Sequence, residues 1–294
     1  MLHRHVLLRT PLVTVADVSC RIGRGCGAEE AAGGYQAVFV RSGVFVKQGA
    51  RRRLVAEANT ALFFNAAEPY RVVHPLDHGD ECTSLTVSRD SAAAALSPVD
   101  PAAQDRAAPF AAGGASLAPS LLLELQQLRQ RLRAGGAGAL EGEERALTLL
   151  ARAAGSAYER RPAQAPARRA RTRRARRDLV EAAKLALAQR PEAPHSLAGL
   201  AREIHSSPYH LARIFRAETG RPIHRYLLEL RLALALERLA AGERDLVGLA
   251  VELGFASHSH FSDTFRRAVG LSPSDARRRL STARLAQMSK ILTA

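Results

Sequence analysis

Residues 197–220, Leu197-Ala-Gly-Leu-Ala-Arg-Glu-Ile-His-Ser-Ser-Pro-Tyr-His-Leu-Ala-Arg-Ile-Phe-Arg-Ala-Glu-Thr-Gly220, return in altered form as Leu246-Val-Gly-Leu-Ala-Val-Glu-Leu-Gly-Phe-Ala-Ser-His-Ser-His-Phe-Ser-Asp-Thr-Phe-Arg-Arg-Ala-Val-Gly270. Each copy opens with apolar residues at i, i+3, i+4 and i+7, a single stripe on a short helix. The stripes are Leu197, Leu200, Ala201, Ile204 and Leu246, Leu249, Ala250, Leu253. After a short turn, Ser207 is placed to cap a second helix with Pro208 at its first position, and Ser257 to cap its counterpart. Gly220 and Gly270 then end helices expected over about 207–219 and 257–269. Their inward seams read as Leu211, Ile214 and Phe215, and as Phe261, Phe265 and Ala268.

The outward faces follow from a rotation of about 100° per residue. They carry Tyr209, Arg213 and Arg216 in the first helix, and Ser259, Ser262, Asp263, Arg266 and Arg267 in the second. His210, His258 and His260 lie at the flanks or leading ends, where a metal cluster is the weaker reading because a groove-facing helix itself needs such donors. A short helix, a tight turn and a polar-faced second helix make a helix-turn-helix, whose second helix enters the DNA major groove. Residues 223–241, with Tyr226, Leu227, Leu230, Leu234 and Leu239 apolar, form one connecting helix. A rod of that size is roughly 28 Å long, against about 34 Å between successive major grooves, so it suits two probes one turn apart.

Charge is distributed to match. The chain has 294 residues and a formal net charge of +15. Residues 1–159 are near neutral, with 17 basic and 16 acidic side chains, whereas residues 160–177 hold nine Arg and no acid. Residues 178–294 hold 17 basic and 12 acidic residues. A neutral half joined to a basic half implies one part suited to a polyanion and one indifferent to it. The Arg-rich tract, with Pro162 and Pro166, reads as an extended linker, first a solvated tether and, in the sharper alternative, one whose guanidinium groups touch phosphates and strengthen binding without regard to sequence.

The N-terminal half reads as strands. Val13–Ser19, Tyr35–Val40, Gly43–Lys47, Ala61–Phe64, Tyr70–Val73 and Thr83–Ser88 are short, β-branched or aromatic, and punctuated by turn residues. Residues 91–119 read as irregular, and leucines at helical spacing then mark helices near 120–133 and 141–159. The fold class expected is α+β, an antiparallel barrel or sandwich with two helices, followed by an all-α domain. Three cysteines, Cys20, Cys26 and Cys82, imply no disulfide framework. No apolar run approaches the length of a membrane span and no secretory signal opens the chain, which predicts a cytoplasmic protein with no membrane partner. His74-Pro-Leu-Asp-His78-Gly-Asp-Glu-Cys82 carries ligand types, yet Pro75 and Gly79 oppose the helix that would align them. No metal, cofactor or catalytic residue is therefore expected, and the motifs of serine hydrolases, zinc proteases and nucleotide-binding loops are missing.

Residues 178–280 resemble the DNA-binding domain of the AraC/XylS family of bacterial transcription regulators. The resemblance rests on Ser207, Leu211, Arg213, Phe215, Gly220, Tyr226, Leu227 and Arg231, and then on Gly254, Phe255, Ser257, Phe261, Ser262, Phe265, Arg266, Gly270, Ser272 and Pro273. It implies domains at 1–159 (cupin-like, effector-sensing and dimerising) and 178–282 (two helix-turn-helix units), joined by the 160–177 linker and followed by a 283–294 tail. It also implies base-reading positions at Tyr209, Ala212 and Arg213 and at His258, Ser259, His260, Ser262 and Asp263. Asp263 departs from the Arg common there, and as a carboxylate it suits cytosine N4 rather than phosphate. The partners implied are promoter DNA, RNA polymerase, a small-molecule effector and a second copy of the chain, with activator and repressor both open as the direction of regulation. The competing reading is a cupin-type metal-dependent enzyme fused to a DNA-binding tail, although the cupin pattern of a closely spaced His-x-His with its partner Glu is missing.

Overall fold

The computed structural model describes residues 2–21, 23–49, 52–158 and 170–281. Its N-terminal part is built from two antiparallel sheets. The strands are β1 (Leu2–Arg9), β2 (Val13–Cys20), β3 (Gly25–Cys26), β4 (Glu30–Ala31), β5 (Tyr35–Ser42), β6 (Phe45–Gly49), β7 (Arg53–Ala56), β8 (Thr60–Phe64), β9 (Pro69–His74), β10 (Asp80–Val87) and β11 (Gly114–Ser116). One sheet has the order β1-β2-β10-β5-β8-β11, and the other runs β3-β9-β6-β7 with β4 also paired to β9.

Alternation along the strands decides which layer each side chain joins. Ala61 and Phe63 of β8 enter one apolar cluster with Phe39 and Leu85, beneath the helices. Leu62 and Phe64, one residue out of phase, join Val40, Phe45 and Cys82 between the sheets. The central strands of the first sheet are thus buried on both faces. Helices α1 (Arg89–Leu96), α2 (Pro119–Arg133) and α3 (Ala139–Tyr158) cover its outer face.

Two local expectations are corrected. Within residues 91–119, α1 forms because the Ser88 hydroxyl caps it, accepting from the Ser91 amide, and Ala92, Ala93 and Leu96 are buried. The same region supplies β11. The ligand-rich stretch from His74 to Cys82 is not a helix, as Pro75 and Gly79 led us to expect: β9 ends on His74, residues 75–79 turn the corner, and β10 starts at Asp80.

The C-terminal part is helical: α4 (Ala170–Gln189), α5 (Leu197–Glu203), α6 (Pro208–Thr219), α7 (Ile223–Ala241), α8 (Leu246–Glu252) and α9 (His258–Val269). Residues 170–177, expected as linker, are the first turns of α4, and the earlier part of that tract lies outside the described residues. The two repeats pack differently. Leu200, Leu211, Ile214 and Phe215 share a core with Val180, Ala183 and Leu187 of α4 and with Tyr226. Phe255, Phe261 and Phe265 instead join the large cluster that continues through α7 and α2 to the first sheet.

Candidate nucleic-acid interface

Both second helices are built as their sequences require. The Ser207 hydroxyl accepts from the His210 amide, and the Ser257 hydroxyl from the His260 amide at 3.1 Å. Gly220 and Gly270 close the helices in the left-handed conformation, with φ of 71° and 83°. Residues 211–220 and 261–270 carry the same succession of buried, half-buried and exposed positions. The repeat in sequence is therefore a repeat in exposure. One seam position differs from expectation: Thr264 is buried in phase with Ile214, and Ala268 is half-buried.

The residues expected to read DNA stand on these open faces. Tyr209 is 80% exposed, and the side chains of Arg213 and Arg216 are exposed with no side-chain hydrogen bond or ion pair among the described residues. His210 and Ala212 are half-buried at the edge of that face. On α9, His258, Ser259, His260, Asp263, Arg266 and Arg267 are exposed and Ser262 is half-buried. The second face is partly organised from within. His260 packs edge-on against Phe255 with ring centroids 5.6 Å apart, and Ser262 Oγ lies 3.4 Å from His258 Nε2. Arg267 folds back along its own helix, donating to the Asp263 carbonyl at 3.3 Å.

Arg231 of α7 fixes how the rod meets both units. Its guanidinium donates to the carbonyls of Pro191 (2.7 Å), Ala193 (3.0 Å) and Gly254 (2.6 Å), reaching the segment before α5 and the turn between α8 and α9. Tyr226 sits edge-on to Phe215 at 5.3 Å, anchoring the first unit to the same rod. The α8 cap was not foreseen from sequence: Asp245 accepts from the amides of Val247 and Gly248.

Another feature, also unforeseen, is a largely buried ionic cluster where the first sheet, α2 and α7 meet. Glu237 of α7 accepts from Arg41 of β5 and from Gln126 of α2, both at 2.5 Å. Arg41 also donates to Glu81, and Arg129 donates to Asp17 at 2.9 Å. Burial by itself would raise the Asp17 carboxyl, but Arg129, Arg41 and Arg133 hold it below its ordinary value. A lone Asp and a lone Arg inside apolar strands were the sequence signals available. Nearby, a cleft of about 430 Å³ opens between β7, β8, β11 and the helices α4 and α7, lined by Arg53, Leu62, Ser116, Lys184 and Tyr226 among others.

Comparison with known proteins places this geometry. A family model described as "Helix-turn-helix domain" matches residues 200–279. The regulatory protein SoxS of Salmonella typhimurium is 36% identical over 87 residues, which cover 30% of this chain and 81% of SoxS. The chain belongs to the AraC/XylS family of bacterial transcription regulators. The HTH-type transcriptional activator RhaR of Klebsiella pneumoniae is 32% identical over 108 residues, 37% of this chain and 38% of RhaR. Among solved structures, ToxT from Vibrio cholerae aligns over 92% of this chain and 99% of its own, at 12% identity and a TM-score of 0.37. Among the described residues of this AraC/XylS-type chain, no helix is long and apolar enough to cross a membrane.

Proposed function

We propose that the protein recognises a promoter element by placing α6 and α9 in successive major-groove segments, and that it acts through binding rather than catalysis. The observation that carries this reading is the matched pair of exposed polar faces on two capped helices tied to one rod. Tyr209, His210, Ala212, Arg213 and Arg216 make the first contact, and His258, Ser259, His260, Ser262, Asp263, Arg266 and Arg267 the second. Arg213 is the principal base reader, because an unpaired guanidinium pairs bidentately with guanine O6 and N7. The Arg-rich stretch before Asp178 adds contacts to phosphate, which carry no sequence information.

Arg213→Ala tests the assignment on the selected site and on scrambled DNA of equal length. Loss of about 1–3 kcal/mol on the selected site, with little change on scrambled DNA, is the expected result. Equal losses on both would demote Arg213 to a phosphate anchor.

The domain division remains 1–159 for sensing and 178–282 for DNA. The cleft beside Lys184 and Tyr226, at the junction of the two, is the place for a small effector, since the space between the sheets is filled by Val40, Phe45, Leu62 and Phe64. A homodimer working in the cytoplasm and recruiting RNA polymerase completes the proposal. Pairing through α2 is disfavoured because α2 is covered by the sheet, α3 and α7, with Leu121, Leu122, Leu123, Leu125, Leu128 and Leu132 all buried. The outward face of α3, with Glu144, Thr148 and Arg152, is the open alternative. Sedimentation with charge-reversing substitutions on that face checks it: wild type should sediment as a dimer and the variants as monomers.

A further inference from the structure

One end of the β-sandwich gathers donors that are far apart in sequence. Asp80 stands directly opposite Cys20 in the β10–β2 pairing, so the two side chains share a face of the first sheet. Strand parity puts that face toward the second sheet, with Cys82 two residues along on the same side. From the second sheet, His74 closes β9 with its Nε2 2.8 Å from Asp80 Oδ2. The Cys20 sulfur, a His74 ring nitrogen and an Asp80 carboxylate oxygen all lie within 4.8 Å of one another. Their residues are 7%, 5% and 7% exposed, respectively.

The backbone is shaped to bring them together. A Cβ on Gly79 would fall 1.6 Å from the Cys20 carbonyl oxygen, so a residue with a side chain there would push the β9–β10 corner away from β2. The Asp80 carboxylate is held from its other side by the Cys82 thiol, which donates to Oδ1 at 3.3 Å. The Cys20 thiol, by contrast, donates to no acceptor among the described residues.

We propose that Cys20, His74 and Asp80 bind a divalent cation of the zinc class, which pins the two sheets together at this end. A sulfur, an imidazole nitrogen and a carboxylate oxygen make a borderline-soft donor set, which suits zinc and not the all-oxygen preferences of calcium or magnesium. Bonds of about 2.0–2.3 Å put two donors on one tetrahedral zinc roughly 3.3–3.8 Å apart, so the site needs a contraction of about 1 Å and no rearrangement of the strands. On binding, the Cys20 thiol proton leaves to solvent. His74 then ligates through Nε2 with its hydrogen on Nδ1, and Asp80 exchanges its hydrogen bond with His74 for the metal. Cys82 keeps its hydrogen bond to Asp80 and serves as a positioning residue, the role outer partners play at metal centres.

The test uses the full chain, stripped with a chelator and titrated with Zn²⁺ and with Co²⁺. The expected result is uptake of one equivalent, a thiolate-to-cobalt charge-transfer band, and a higher thermal midpoint in the presence of Zn²⁺. Cys20→Ser should lose the band and weaken Zn²⁺ binding by about tenfold or more, while Cys82→Ser should keep the band and the exposed Cys26→Ser should keep both band and affinity. Because the Cys20 thiol is not part of the His74–Asp80 hydrogen bond, Cys20→Ser keeps the pair intact and remains informative if a His74 variant fails to fold. Substoichiometric uptake by wild type, a band that survives Cys20→Ser, or a band lost in Cys82→Ser or Cys26→Ser would each overturn the three-ligand assignment.

Discussion

Glu57 shows how one side chain gives the fold a pH dependence. It is 1% exposed in the turn after β7, and burial pushes its carboxyl up to about 8 from an ordinary 4.5, against the pull of the Lys184 ammonium. The folded state therefore holds a proton that the unfolded chain releases between those values, so stability falls as pH rises from about 4.5 to about 8. Glu57→Gln should remove this slope and raise stability at pH 8 relative to wild type, read from denaturant midpoints at several pH values. A variant that kept the wild-type slope would show that the proton is held elsewhere. Asp17 acts in the opposite sense. Its buried carboxyl is held below its ordinary 3.8 by Arg129, Arg41 and Arg133, so the stability it contributes is present above that value and lost in stronger acid. Asp17→Asn should therefore cost most near neutral pH and progressively less as acid protonates the wild-type group.

Elements show where sequence is readable and where it is not. The recognition helices were legible because their determinants are local: a Ser cap, a Pro at the first position of α6, a 3.6-residue seam and a closing Gly lie within about thirteen residues of one another. Replacing Ser257 by Ala should cost about 1 kcal/mol, and Ser257→Asp should retain most of it, as checked by thermal unfolding. No difference between the two variants would mean that the cap contributes nothing net. At Thr264 the same logic erred, because the seam was read as Phe261, Phe265 and Ala268 and passed over a hydroxyl residue whose place in the repeat matches Ile214. The α1 helix was missed because Ala-rich sequence running into Pro98 and Pro101 resembles a loop, and its cap at Ser88 carries little weight until Leu96 is seen to be buried. β1 was missed for a different reason. It is an edge strand, exposed or half-buried throughout, so it has no apolar alternation to display and is set by its pairing with β2. The approach of His74 to Cys20 depends on strand register across two sheets, information that no local pattern contains. The spacing test applied to His74–Cys82 assumed a helix, and the partner that completes the cluster lies more than fifty residues earlier.

At the scale of the molecule, the two helix-turn-helix units are unequal, although their sequences are near-repeats. The first has its own core with α4, whereas the second shares one continuous apolar cluster with α2, α3 and the first sheet. The α2 helix packs against α7 and α9, and Gln130 adds a hydrogen bond to the Ala240 carbonyl at 2.8 Å. A perturbation in the N-terminal part should therefore reach α9 through shared packing before it reaches α6. Leu128 of α2 is 1% exposed in that cluster, and truncating it leaves a cavity that typically costs about 2–5 kcal/mol. In Leu128→Ala, amide hydrogen exchange should quicken across residues 246–269 more than across 197–219, since opening of the shared cluster exposes the former and leaves the latter on a separate core. The control is Val180→Ala in α4, which should reverse the order by loosening the first unit alone. If both variants loosened the two units equally, the units would belong to one cooperative body. A signal felt by the sheets would then reach both reading helices together, and the asymmetry of packing would have no part in regulation.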